Sequence, residues 1–168
     1  PVRYFSKAAL AGIEPFTVII MDNNILYECR WDAVKKHCRQ LKTDRHYIWS
    51  SATLYDEAIV KQREKWFAAF LNKNTVPNLD DIFLFHRFAG NGDLHNDLKM
   101  DRDGIMSTVS ITSIQMNEQR GSMYYTDLKD NNKYQLEMRP HPRPSTKERE
   151  HAPNRLNPLF IAAEGISI

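Results

Sequence analysis

The sequence predicts an α+β fold, an antiparallel sheet layer carrying two packed helices, on three observations. Residues 16–50 run as short apolar or alternating segments between turn signals, which is the pattern of strands. Residues 55–86 switch to helical spacing, with apolar positions three and four apart. Residues 107–138 return to alternation. Strands grouped on either side of a helical pair indicate α+β rather than alternating α/β.

Taken in order, Phe16 to Met21 is an apolar, β-branched run, Asp22-Asn23-Asn24 supplies turn chemistry, and Ile25, Tyr27, Cys29 and Trp31 alternate with Leu26, Glu28 and Arg30. A β-hairpin is expected there. A turn at Asp32-Ala33 leads to a third strand over Lys36 to Leu41, and Tyr47-Ile48-Trp49-Ser50 is expected as a fourth. Thr53 and Asp56 stand at capping-box spacing before a helix over residues 55–72, whose face is Ile59, Trp66, Phe67, Phe70 and Leu71, with Lys61, Arg63, Glu64 and Lys65 turned elsewhere. Pro77 and Asn78 restart the chain, and Leu79, Ile82, Phe83 and Phe85 mark a shorter helix ending near His86. Ser107 to Ile114 and the segment after Gly121 read as paired strands, and Tyr134, Leu136 and Met138 alternate as a further short one.

With 168 residues and 42% hydrophobic content, the chain fits a single domain, expected over residues 1–139. Five of the eight prolines fall within residues 140–168 among charged residues, so this tail is expected to be largely unstructured, its apolar end at Leu159 to Ala163 able to dock. Lys and Arg number 23 against 21 Asp and Glu, a net charge of +2, which provides no electrostatic footprint for nucleic acid. No apolar run is long enough to span a membrane, and there is no basic region followed by an apolar leader. Cys29 and Cys38 lack zinc-site spacing and read as reduced thiols of a cytoplasmic protein; whether two adjacent antiparallel strands pair them in a disulfide depends on a register the sequence does not fix.

The most distinctive stretch is HRFAGNGDLHNDLKMDRDGIMSTVSIT, His86 to Thr112, too polar for core and too rich in paired Asn, Asp and Gly steps for a neutral spacer. Asp93, His95 and Asp97 alternate like the start of a calcium loop, but Leu98 stands where that loop needs glycine and Met100 offers no side-chain oxygen. Asx turns and glycine bends explain each residue separately, so no metal and no other cofactor is assigned. The aromatics Trp66, Phe67, Phe70, Phe83 and Phe85 suit helix packing. Phe88 lies past the helix at the mouth of the loop.

Four ordered blocks, Gly12 to Asp32, Ile48 to Phe67, Phe85 to Asp93 and Ser107 to Ile114, together resemble the C-terminal half of bacterial proteins of the NRDE family, relatives of the transport and Golgi organisation 2 proteins. The resemblance covers about Gly12 to Leu128. It implies part of the αββα sandwich of N-terminal-nucleophile hydrolases, in which a cysteine at the mature terminus attacks an amide. Its free α-amine, of pKa about 8, takes the thiol proton.

That nucleophile and the family's Asn-Arg-Asp-Glu segment do not occur here, so no catalytic residue is assigned in this chain, and the nucleophile segment is expected upstream of Pro1. What the resemblance carries over is pocket wall. Ser50, Ser51 and Thr53 occupy the turn where distant members place a Ser-Asn pair, and Arg102 precedes the Ser107 strand where related hydrolases contact substrate. His86, Phe88 and Asp93 complete the set of candidates around the polar loop.

Two functions follow as expectations. One is the non-nucleophilic half of an amide hydrolase, completed by the upstream segment or by a second copy that covers the exposed sheet face. The other is a non-catalytic module that uses the cleft beside Ser51 and the Gly90 to Asp103 loop to bind a small lipid-like or haem-like metabolite.

Overall fold

The computed structural model describes residues 2–22, 25–116 and 120–138, and the backbone of residues 159–167. The fold is α+β with antiparallel strands throughout. The strands divide between two sheets rather than one layer, and the chain forms two compact units, Pro1–Lys65 and Trp66–Ile168.

In the first unit a short helix α1 (Val2–Lys7) precedes β1 (Phe16–Asp22), β2 (Ile25–Trp31) and β3 (Lys36–Leu41), a meander in that order. The register pairs Phe16 with Trp31 and Cys29 with Cys38. Asn23 and Asn24, the expected turn, lie outside the described residues. The β2–β3 turn is closed by Asp32, whose Oδ1 accepts the N–H groups of Val34 and Lys35 while Ala33 sits at φ 74°. Those amides, the Lys35 one foremost, and His37 beside them hold the Asp32 carboxyl well below the usual carboxylate range. Lys36 Nζ donates to the carbonyls of Ser6 and Ala8, tying the end of α1 to β3. Leu26, Cys29, Trp31 and Leu41 are the buried apolar side chains here.

Tyr47 to Ser50 do not form the expected fourth strand. Side-chain bonds hold this segment instead of a ladder. The Tyr47 hydroxyl bonds the backbone N–H and carbonyl of Lys42, its ring stacks on Trp49, and Trp49 Nε1 donates to Glu28 on β2 at 2.7 Å. Burial raises the Glu28 carboxyl, yet the hydrogen bonds from Arg39 and Trp49 and the charges of Arg39 and Arg30 outweigh it and leave the pKa lowered.

Helix α2 (Glu57–Lys73) crosses from one unit into the next. Asp56 caps it by accepting the Ile59 N–H, so Asp56 rather than Thr53 is the capping residue. Arg63, expected on the outer face, is the buried residue of this helix at 1% exposure, its guanidinium 3.7 Å from the centre of the Tyr55 ring. A cation lying over an aromatic face is partly compensated for leaving water, and its aliphatic stem packs like an apolar side chain.

In the second unit α3 (Leu79–Phe88) begins with a full capping box, Asn78 accepting from the Asp81 amide while Asp81 accepts from the Asn78 amide. Phe85 is its buried residue, packed against Phe67 and Phe70 of α2 with ring centres 5.4 and 4.8 Å away. Strands β4 (Asp101–Arg102), β5 (Met106–Met116), β6 (Gly121–Asp127), β7 (Lys133–Met138) and β8 (Leu159–Ser167) make a five-stranded sheet. β5 is its hub, pairing with β4, β6 and β8, and α3 packs against β5 and β8.

Of the tail expected over residues 140–168 to be largely unstructured with an apolar end able to dock, the structure describes that end, which pairs as a strand. Leu159–Ser167 forms nine residues of strand paired along β5 with one register shift at Thr108/Ser110. An apolar segment beside an open strand gains ladder hydrogen bonds, whereas composition registers only the prolines before it. Residues 140–158 lie outside the described residues.

Candidate functional site

The polar segment after α3 is a built loop whose carboxylates are used by its own backbone. Asp97 is the centre of its first half, where Oδ1 accepts the Asn91 N–H at 2.9 Å and Oδ2 the Gly92 N–H at 3.1 Å. A Cβ at Gly90 would overlap that carboxylate, which is the physical reason for glycine there. Asp93 centres the second half, accepting from the His95 N–H and from Asn96 Nδ2. The Asn96 bond is the largest influence on the Asp93 carboxyl; desolvation opposes it, and the His95 amide with the charges of His95 and Arg102 leaves the carboxyl below its ordinary range.

Both ends of the loop are pinned. The Leu98 N–H donates to the Ala89 carbonyl and the Asp101 N–H to Leu94. Leu98 and Met100 are buried as core anchors, which explains why the calcium-loop pattern fails at those two positions. Buried Thr108 on β5 locks Met100: its Oγ1 accepts the Met100 N–H at 3.0 Å while its own N–H donates to the Met100 carbonyl. Compact loops of this kind, with close ends and internal side-chain bonds, are ordered without forming regular structure.

Of the candidates named from sequence, Asp93 and Arg102 come together, with Arg102 Nε donating to the His95 carbonyl at 3.1 Å. Phe88 ends α3 beside this loop, exposed, with the Arg87 guanidinium 5.5 Å from its ring centre. His86 packs edge-on to Phe85. Ser50, Ser51 and Thr53 belong to the first unit, where the Thr53 N–H points to Ser51 Oγ at 3.4 Å. Ser50 and Ser51 are half-buried and Thr53 is exposed. A hydroxyl turn ahead of the Asp56 cap is what the geometry there provides.

Sequence reading saw the Asx and glycine bends of this loop but not Thr108 as its anchor, and passed over Leu94, exposed on the loop, and Ile105, exposed in the β4–β5 turn. The available signal was the isolated apolar residue inside a polar stretch. Among the described residues no three His, Cys, Asp or Glu side chains are grouped to hold a metal ion, and no helix is long and apolar enough to cross a membrane. A shallow depression at the end of the β2–β3 ladder is lined by Ile25, Gln40, Leu41, Lys42, Thr43 and Asp44.

Compared with protein-family models, with curated proteins and with solved structures, the chain matches none.

Proposed function

We propose that the chain is a non-catalytic binding module whose recognition element is the loop following α3, and that its ligand is a lipid-like metabolite, an apolar chain ending in an acidic group. The observation that carries this reading is the exposure of Phe88, Leu94 and Ile105, at 70%, 60% and 76%. Phe88 ends α3 and Leu94 sits on the loop whose backbone is held by Asp93, Asp97 and Thr108, while Ile105 lies in the β4–β5 turn that follows it. Apolar groups mounted on an already ordered loop lose little conformational freedom on binding, so more of the burial energy appears as affinity. Arg87 over the Phe88 ring places a cation where an acidic headgroup would lie.

The test is titration of the full chain with a fluorescently labelled long-chain fatty acid, and with haemin for the haem-like alternative. Burying a Phe side chain contributes about 1.5–3 kcal/mol, so the Phe88→Ser/Leu94→Ser variant is expected to bind the fatty acid at least about tenfold more weakly with its fold intact. Absence of saturable binding of either probe refutes the module, and unchanged affinity in the variant refutes the loop's role.

The NRDE-type amide hydrolase is the second reading, favoured by the two antiparallel sheets accompanied by α2 and α3. Under it this chain supports a nucleophile located elsewhere, because Cys29 is fully buried with its thiol pushed up to about 12. Amide turnover by this chain that disappears in Cys29→Ala would overturn the non-catalytic assignment.

A further inference from the structure

The two cysteines face each other across the β2–β3 ladder. Cys29 and Cys38 are direct register partners, and their Sγ atoms approach to 2.7 Å. Directly opposed residues of an antiparallel pair have Cα atoms about 4.5–5.5 Å apart, inside the window of about 4.4–6.8 Å that a disulfide spans. Bond formation therefore needs no rearrangement of the strands. The pair is also asymmetric: Cys29 is 0% exposed and Cys38 is exposed.

We propose that Cys29 and Cys38 form a dithiol–disulfide redox site for small-molecule disulfides, with Cys38 as the attacking thiol and Cys29 as the resolving one, closing a reversible staple between β2 and β3. In the first step Cys38 releases its proton to solvent and its thiolate attacks one sulfur of a disulfide RSSR. The Cys38–SR bond forms, the S–S bond of the reagent breaks, and RS⁻ leaves and takes a proton. In the second step Cys29 loses its proton and attacks the Cys38 sulfur, forming the Cys29–Cys38 bond and expelling the second RS⁻. Two protein thiols are oxidised, one RSSR is reduced to two RSH, and the reverse sequence opens the staple.

The order of attack follows from access and ionisation. An external disulfide reaches Cys38 and not Cys29. Burial first, and the neighbouring Cys38 and Glu28 in addition, push the Cys29 thiol up to about 12, so little thiolate is available there for an initial attack. Once Cys38 carries SR, the neighbouring position of Cys29 replaces ionisation as its advantage, since the attack is intramolecular. Residues 32–35 form the turn between the two cysteines, so the closed staple encloses only that turn and the strand ends.

The experiment exposes the reduced full chain to oxidised glutathione, quenches with acid at intervals and reads intact and peptide masses. The expected course is a transient glutathione adduct on Cys38, then a monomeric chain lighter by two hydrogens that no longer reacts with a thiol alkylator and regains reactivity on adding reduced glutathione. In Cys29→Ser the adduct on Cys38 persists, and in Cys38→Ser modification of Cys29 is slower by at least about tenfold. If Cys29→Ser does not fold, the first site of the adduct is mapped in the wild-type chain from the earliest quench. The proposal is overturned if the adduct appears first on Cys29, if only intermolecular disulfides form, or if both thiols stay alkylatable in fully oxidised glutathione.

Discussion

Gly90→Ala is the most discriminating single change, because its cost has one source. No positive φ is recorded at Gly90, so alanine meets no backbone penalty; the added methyl overlaps the Asp97 carboxylate instead. Relief requires Asp97 to swing away from the amides of Asn91 and Gly92. A hydrogen bond to a charged acceptor has a net worth of about 1.5–3 kcal/mol, and overpacking costs about 1–3 kcal/mol. For a half-buried carboxylate the lower ends apply, and the two bonds are lost together rather than additively. The expected cost is about 2 kcal/mol for ordering the loop, which corresponds to roughly a thirtyfold loss of hydrogen-exchange protection at Asn91 and Gly92. The partner experiment is Asp97→Ala. It removes the obstacle as well as the bonds, so Gly90→Ala added to it should cost a few tenths of a kcal/mol rather than about 2. Equal cost of Gly90→Ala in both backgrounds, or unchanged protection of the two amides, would refute the assignment of glycine to carboxylate clearance.

Two further outcomes test single buried residues, one in each unit. Thr108→Val keeps the shape of a buried side chain but removes the acceptor of the Met100 N–H, and chemical denaturation should show a loss of about 1–3 kcal/mol from that unsatisfied donor; a loss near zero would show that Thr108 does not anchor the loop. Cys29 has its folded-state pKa raised from the ordinary 9.0 to about 12. The reduced folded chain therefore binds this proton more tightly than the unfolded one, and the contribution is fully present below pH 9 and lost as pH rises through the window from about 9 to 12. Denaturant melts of wild type and Cys29→Ala under reducing conditions should converge across that window, and parallel curves would contradict the raised pKa.

Local chemistry was legible wherever an element answers to its own residues. The alternation over Phe16 to Leu41 and Ser107 to Met138, and the Asn78/Asp81 box ahead of α3, appear in the structure close to where the pattern puts them. The polar loop was visible as a feature, and so were its Asx turns. Its two deepest residues, Leu98 and Met100, were registered only as the reason a metal motif fails, because nothing local announces that a side chain in a polar run turns inward onto β5.

Strand and helix periods, turn residues and caps depend on neighbours a few positions away, and to that extent the sequence by itself determined the α+β class, most strand limits and the place of the loop. The tertiary structure decided the division into two sheets, the strand formed by Leu159–Ser167, the burial of Arg63 under Tyr55 and the use of Trp49 as a donor to Glu28 rather than as a strand residue. It also set Cys29 opposite Cys38, because a one-residue slip in register would have turned the two thiols to opposite faces. Each of these depends on which distant group offers a hydrogen-bond partner or an apolar surface, and that is settled only when the chain has closed on itself.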